Sequence, residues 1–188
     1  MKTARLKEWT YEDYLALPDV PGPLLYEVID GELYRIHNPD TKHQSVLGGF
    51  LFVIASYLKQ NRVGESFVIP CDVIFSRAPL QYVVPDLVFV SNARAAIVTE
   101  QNIQGIPDLI VEIISLWTER HDRQIKFSLY ERVGVPEYWI VDPERNSVQV
   151  FRLSGERYGS ELEFGLGDRL ETPLLPGLSI PLSEFFPA

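Results

Sequence analysis

The sequence predicts an α/β fold of the α+β kind, in which an N-terminal β-hairpin precedes helices alternating with a mixed sheet and a C-terminal β-meander follows. Three observations carry this. Residues 24–29 and 32–37 flank Asp30-Gly31, a dipeptide that readily takes positive φ and suits a two-residue hairpin turn. Apolar residues at Val46, Leu47, Phe50, Leu51, Ile54 and Leu58 keep the i, i+3, i+4, i+7 spacing of a long amphipathic helix. Two later runs, 108–115 and 137–142, are apolar between polar ends, apart from Glu112, as strands covered on both faces are.

Taken in order, Thr10 with Asp13 three residues on forms a capping box for a short helix over 11–17, which Pro18 and Pro21-Gly22-Pro23 end. The hairpin follows. The long helix opens after Asn38-Pro39-Asp40 and stops near Gln60-Asn61 and Gly64, and Gly48-Gly49 within it fits close packing on a sheet. Short strands are expected over 65–69, 72–76, 81–84 and 87–90, punctuated by Pro70, Ala78-Pro79 and Pro85. After the strand over 108–115, residues 119–133 read as a helix with Ile125, Leu129 and Val133 on one side, stopped by Gly134 and Pro136. The strand over 137–142 comes next, and Pro143, Asn146, Gly155, Gly159, Gly165 and Gly167 punctuate the meander. With no repeat and no Gly/Ser-rich linker, the expectation is a single domain over 1–188 with its core at about 24–153.

Composition narrows the function. Seventeen Lys and Arg against 26 Asp and Glu leave a net charge of −9, which repels polyanions and excludes a protein that coats nucleic acid by charge alone. The single cysteine, Cys71, allows no intrachain disulfide and reads as a small buried hydrophobe in a reducing compartment. Residues 1–8 are charged with no apolar stretch behind them, and the longest apolar run, 46–55, is far shorter than the ~20 residues that cross a bilayer. The expectation is a cytoplasmic protein with no membrane partner.

No Gly-x-Ser-x-Gly elbow or Gly-rich phosphate loop is present, and His37, His43 and His121 are too scattered for a dedicated zinc site. The informative residues are acidic. Glu112 lies mid-strand among Leu109, Ile110, Val111, Ile113 and Ile114, where an unpaired carboxylate costs several kcal/mol to desolvate, roughly 2–7 for even a neutral polar group, so a cation, a metal or a proton must meet it. Asp86 leads a second apolar strand. Two such carboxylates brought together suit a hard cation such as Mg²⁺ or Mn²⁺, while a structural pairing of Glu112 with an arginine is the plain alternative. On the next helix Asp122, Lys126 and Tyr130 recur every fourth residue, so Lys126 can lean toward the carboxylates or simply pair with Asp122 in solvent. Arg120, Arg123, Lys126 and Arg132 make this helix the one locally basic segment, and Arg120 and Arg123 are the expected phosphate contacts.

The run from Asp108 through Glu112 to Ser115, then Asp122, Lys126 and Tyr130, then Gly134-Val135-Pro136-Glu137-Tyr138-Trp139-Ile140-Val141-Asp142-Pro143, resembles the signature of the bacterial Uma-type family, restriction-endonuclease-like proteins of the PD-(D/E)XK nuclease superfamily. Tyr26-Glu27-Val28-Ile29-Asp30-Gly31-Glu32-Leu33, His43, and Pro85-Asp86 match its N-terminal half, so the resemblance spans roughly residues 10 to 153. It implies a restriction-endonuclease-like αβββαβ core, a divalent metal on Asp86 and Glu112, and Lys126 as the catalytic lysine, since Ile114 fills the superfamily's usual lysine position. Glu27, His43 or Gln44, and Asp122 are the implied auxiliary residues.

One departure stands out: Ser115-Leu116-Trp117-Thr118 replaces the family's usual Ser-Pro-Ser-Thr. An indole here reads first as buried packing, with shielding of the site, base stacking or a partner contact as alternatives. Tyr138-Trp139 reads as core. The function expected is metal-dependent hydrolysis of DNA phosphodiester bonds by a Mg²⁺ or Mn²⁺ endonuclease, with DNA held weakly by charge and a homodimer supplying two sites for two strands. The alternatives are a catalytically degenerate nuclease fold used for binding or assembly, with Phe185 and Phe186 at a dimer contact, and a metal-dependent phosphoesterase for small substrates.

Overall fold

A computed structural model describes residues 8–17, 25–36 and 39–186. The chain runs α1 (Tyr11–Leu15), β1 (Leu25–Ile29), β2 (Glu32–Ile36), α2 (Thr41–Asn61), β3 (Gly64–Val68), β4 (Val73–Arg77), β5 (Leu80–Val83) and β6 (Leu87–Ser91). A 3₁₀ turn (Asn92–Ile97), β7 (Ile103–Gln104) and β8 (Leu109–Ile113) follow, then a π-helical turn (His121–Lys126) that leads into α3 (Phe127–Val133). β9 (Glu137–Asp142), β10 (Ser147–Ser154), β11 (Arg157–Tyr158), β12 (Leu162–Phe164), β13 (Arg169–Glu171) and β14 (Ser179–Pro181) complete the strands. Pro18, Pro21-Gly22-Pro23, Leu24, His37 and Asn38 lie outside the described residues.

Local chemistry explains the element ends. Thr10 caps α1 through the expected box, its side chain accepting from the Asp13 N–H while the Asp13 carboxylate accepts from the Thr10 N–H. Asp40 caps α2 by accepting from the His43 N–H at 2.8 Å. Asp30 and Gly31 take φ of 51° and 81° between β1 and β2, the two positive values of a type I′ hairpin turn.

The strands form two principal sheets. One has the order β2-β1-β5-β4-β7, and the other runs β11-β10-β9-β8-β6-β3, with β12 also on β10. In the second sheet β3 and β6 pair antiparallel, as do β6 and β8, whereas β8 and β9 are parallel with the π turn and α3 as their crossover. The order α2, β3, β6, β8, α3, β9 is the αβββαβ core of a mixed sheet. The four short strands expected after α2 do not share one sheet, because β4 and β5 leave it to join the hairpin. Pro70 and Pro85 bracket the excursion, and proline cannot donate to a ladder.

Strand alternation sorts the second sheet into two faces. Leu87, Phe89, Leu109, Val111, Ile113, Trp139 and Val141 pack under Val46, Phe50 and Ile54 of α2. Val88, Val90, Ile110, Ile114, Tyr138 and Ile140 face Leu129 and Tyr130 of α3. Tyr138 and Trp139 are core, as expected. Phe185 and Phe186 are also core, 6% and 5% exposed within the α2-side cluster, so they supply no dimer contact. Cys71 is half-buried rather than buried, at the rim of the α3-side cluster.

Gly64 opens β3 against β6, where an added Cβ would stand 2.2 Å from the Val90 carbonyl oxygen and 2.8 Å from the Ser91 Cα. Backbone cannot yield there as a flexible side chain would. Gly64→Ala is expected to lose about 1–3 kcal/mol, as overpacked sites do, seen as a lower urea midpoint with an unchanged slope.

Candidate active site

Alternation also places the acidic residues. Asp86 and Glu112 keep the even parity of Val88 and Ile110, so both side chains take the α3 face. The pairing of Leu87 with Val111 sets them side by side at one end of β6 and β8. That end is the carboxyl end of β8, which pairs in parallel with β9, and carboxyl ends of such strands are where open sheets bind ligands.

Asp86 Oδ2 accepts the Ile113 N–H at 2.7 Å and lies 3.0 Å from His43 Nε2. Glu112 Oε1 accepts from Lys126 Nζ at 2.9 Å and from the Tyr130 hydroxyl at 2.7 Å. Glu27, on β1 of the other sheet, completes the group: its Oε1 lies 2.9 Å from Lys126 Nζ and accepts the Val84 N–H at 3.0 Å, while its Oε2 faces His121 Nε2 at 2.7 Å. Asp122 Oδ1 is 3.6 Å from Lys126 Nζ. The Asp122–Lys126 pair expected in solvent is therefore buried, and the cation that meets Glu112 is Lys126 rather than an arginine.

The π-helical turn explains how one short segment delivers three of these groups. Its wider winding aligns residues five apart, so His121 and Lys126 stack while Asp122 sits beside them, and all three line one cavity. The α-helix expected over 119–133 is regular only from Phe127 to Val133. The cavity measures about 220 Å³ and is lined by Glu27, Asp86, Glu112, Asp122 and Lys126, with Tyr34, Arg35, His43, Trp117 and His121 among the remaining walls.

Three buried carboxylates, Glu27, Glu112 and Asp122, share one buried lysine, and a fourth, Asp86, faces His43. Burial opposes the ammonium, yet Glu112, Glu27 and Asp122 outweigh it and hold Lys126 well above the usual lysine range, so it is a cation. Burial likewise opposes ionisation of Glu27, but Lys126 and His121 together keep it below its ordinary value. Glu112 fares differently. Burial raises it, Lys126 only partly offsets this, and Asp122, Asp86 and Glu27 push it further up. Asp122 is raised by burial to about 6. His43 would be lowered by burial, but Asp86 at its ring raises it overall.

The surplus of negative charge and the all-oxygen donors of Asp86 and Glu112 fit a hard divalent cation. Among the described residues no three or more His, Cys, Asp and Glu side chains stand in ligand geometry. A cation held by two carboxylates, with water and substrate phosphate completing its shell, is the usual arrangement for Mg²⁺.

The other expected residues separate. His43 lines the cavity, whereas Gln44 is exposed on α2 and does not. Arg120 is exposed, and its charge acts on the nearby Tyr34 hydroxyl against the upward push of burial. Arg123 does not line the cavity. It is bound at 3.1 Å to Glu119 and at 3.1 Å to Asp142, with Gln149 as a further partner. His121 and Tyr130 gained no site role from sequence, although both adjoin the Asp122 and Lys126 spacing. Trp117, expected to be packed, is 78% exposed.

A family model described as "Uma2: Putative restriction endonuclease" matches residues 11–183. A crystal structure of a protein from Anabaena variabilis ATCC 29413, described as a putative nuclease belonging to DUF820, aligns with a TM-score of 0.76 at 21% identity. The alignment covers 94% of this chain and 97% of that one, and shows a shared fold. No curated protein matches the chain.

Proposed function

Since the chain belongs to the Uma2 family of restriction-endonuclease-type proteins, we propose that it is a metal-dependent endonuclease hydrolysing DNA phosphodiester bonds at the Asp86, Glu112 and Lys126 cavity. The observation that carries this reading is the junction of Glu112 with Lys126 Nζ at 2.9 Å, beside an Asp86 fixed by the Ile113 N–H. Asp86 and Glu112 would hold Mg²⁺ or Mn²⁺, and the bound ion supplies a Lewis acid for the phosphoryl oxygen and lowers the pKa of water. Lys126 is a cation, so it takes no proton from water. It donates hydrogen bonds that orient the attacking oxygen or hold negative charge as it develops on the phosphate. Glu27 and Asp122 fix the ammonium from two sides, and His121 holds Glu27.

Arg35, which lines the cavity, and Arg120, exposed next to the cavity residue His121 in the chain, are the phosphate contacts in this reading, whereas Arg123 already binds carboxylates. Cutting both strands of a duplex calls for two such cavities, so a homodimer belongs to the proposal, as does a cytoplasmic location. Among the described residues no helix is long and apolar enough to cross a membrane.

The test is conversion of supercoiled plasmid to nicked and linear forms with Mg²⁺ or Mn²⁺ and with a chelator. Cleavage that appears with the ion and stops with the chelator is expected. No cleavage of any DNA in the presence of either ion would instead favour the binding-module reading.

A further inference from the structure

The two carboxylates assigned to the metal are each half in use. Both hydrogen bonds that Glu112 makes among the described residues fall on one oxygen: Lys126 Nζ donates to Oε1 at 2.9 Å, and the Tyr130 hydroxyl donates to the same atom at 2.7 Å. Asp86 repeats the pattern. Its Oδ2 accepts the Ile113 N–H at 2.7 Å and lies 3.0 Å from His43 Nε2. Tyr130 is fully buried and His43 is 7% exposed, so water competes little for either contact. Both carboxylates line the cavity, and each has one oxygen to offer there, Oε2 of Glu112 and Oδ1 of Asp86.

Coordination chemistry makes this arrangement informative. Ca²⁺ gathers about 6–8 oxygens and readily takes both oxygens of a carboxylate, whereas Mg²⁺ keeps an octahedral shell with several waters and one or two carboxylates. A carboxylate whose one oxygen is already bonded twice can serve the smaller ion through the other oxygen without giving anything up. To grip the larger ion with both oxygens it must first release its donors. Each is a hydrogen bond to a charged group, worth roughly 10- to 150-fold in an equilibrium constant. The neighbouring carboxylates do not make up the deficit. Glu27 Oε1 is taken by the Val84 N–H and Lys126, and its Oε2 by His121. Asp122 is held between the ammonium and the Thr118 side chain.

We infer that Tyr130 and His43 set the ion preference of this site: by holding one oxygen of Glu112 and one of Asp86, they leave two single-oxygen ligands that select a small octahedral cation over Ca²⁺. This rests on the metal-binding part of the nuclease reading. Tyr130 and His43 are positioning residues, because each acts through the carboxylate it holds.

The test is titration calorimetry of the full chain with Mg²⁺ and with Ca²⁺, in the absence of DNA, for wild type, Tyr130→Phe, His43→Ala and His43→Gln. Wild type is expected to bind Mg²⁺ at least as tightly as Ca²⁺. Tyr130→Phe keeps the ring and relieves Glu112 Oε1 of one donor, and His43→Ala does the same for Asp86 Oδ2. Each should shift the ratio of the two dissociation constants about tenfold toward Ca²⁺. His43→Gln returns an N–H donor and should restore the wild-type ratio. A purely structural role would weaken both ions alike, so an unchanged ratio in either folded variant overturns the inference, as does a wild type that prefers Ca²⁺ or binds neither ion. Should Tyr130→Phe lack a cooperative urea transition, the two His43 variants decide. Plasmid cleavage with Mg²⁺ separates the two readings. The expected shift of ratio in a chain that cuts no DNA sinks the nuclease reading alone, and Mg²⁺-dependent cutting by a wild type that prefers Ca²⁺ sinks the ion preference alone.

Discussion

Replacing Lys126 with methionine is expected to abolish cleavage and to destabilise the fold by about 3–5 kcal/mol, the usual consequence of removing one partner from a buried ion cluster. The lysine is 4% exposed, and its Nζ lies 2.9 Å from both Glu27 and Glu112. Methionine fills much of the same volume, so packing is nearly kept while the positive charge is lost. Glu27, Glu112 and Asp122 are then left buried around an apolar thioether. In urea, with a slope of about 1–3 kcal/mol per molar for a small protein, the midpoint should fall by about 2 M. Added Mg²⁺ or Mn²⁺ should recover more stability in this variant than in wild type, because the ion supplies the missing charge. A midpoint within about 0.3 M of wild type would show that the lysine does not neutralise the cluster.

Glu112→Gln is expected to behave in the opposite way: a cleavage rate at least about 100-fold lower with little change in stability. Loss of an outer partner of a metal already costs 10–100-fold, and Glu112 is proposed as a direct ligand. The amide keeps the shape and an oxygen that can accept from both the Tyr130 hydroxyl and Lys126 Nζ. The fold already disfavours the charge on Glu112, through burial first and then through the surrounding carboxylates. A neutral isostere should therefore shift the unfolding free energy by less than about 1 kcal/mol. Divalent-ion binding by calorimetry should weaken in parallel with cleavage. Cleavage at the wild-type rate would remove Glu112 from the chemistry. Lys126 and Glu112 thus separate two demands on one ion pair, neutrality for folding and charge for function.

Much of this could be read from residues alone, for reasons that differ by element. The hairpin was legible because Asp30-Gly31 imposes its own turn, and α2 because its apolar spacing continues for several turns. Asp86 and Glu112 stood out because carboxylates are rare in strands buried on both faces. Lys126 followed from its four-residue spacing to Asp122. The Glu27 and His121 contact was not legible, since its partners are 94 residues apart and meet only where two sheets come together. A π turn leaves no mark on hydrophobic periodicity, so the regular helix expected over 119–133 lacked the widening that gathers His121, Asp122 and Lys126. Arg123 looked available because Asp142 and Gln149 reach it from strands far along the chain. Trp117 reversed the ordinary expectation for an indole, and no pattern in its neighbours distinguishes a packed ring from a displayed one.

The joining of Glu27 to Lys126 across the two sheets also bears on when the protein can be active. The hairpin brings one carboxylate, β6 and β8 bring two more, and the only buried lysine among the described residues arrives later in the chain, on the π turn. Until that turn docks, Asp86 has His43 beside it, but Glu27 and Glu112 lack the ammonium that meets them both. Closing so long a loop is an entropic cost met late, after local hairpins and helices have formed. Assembly of the ion cluster therefore acts as a latch: the carboxylates of the hairpin and of β8 receive their shared ammonium only when the hairpin and the π turn have met.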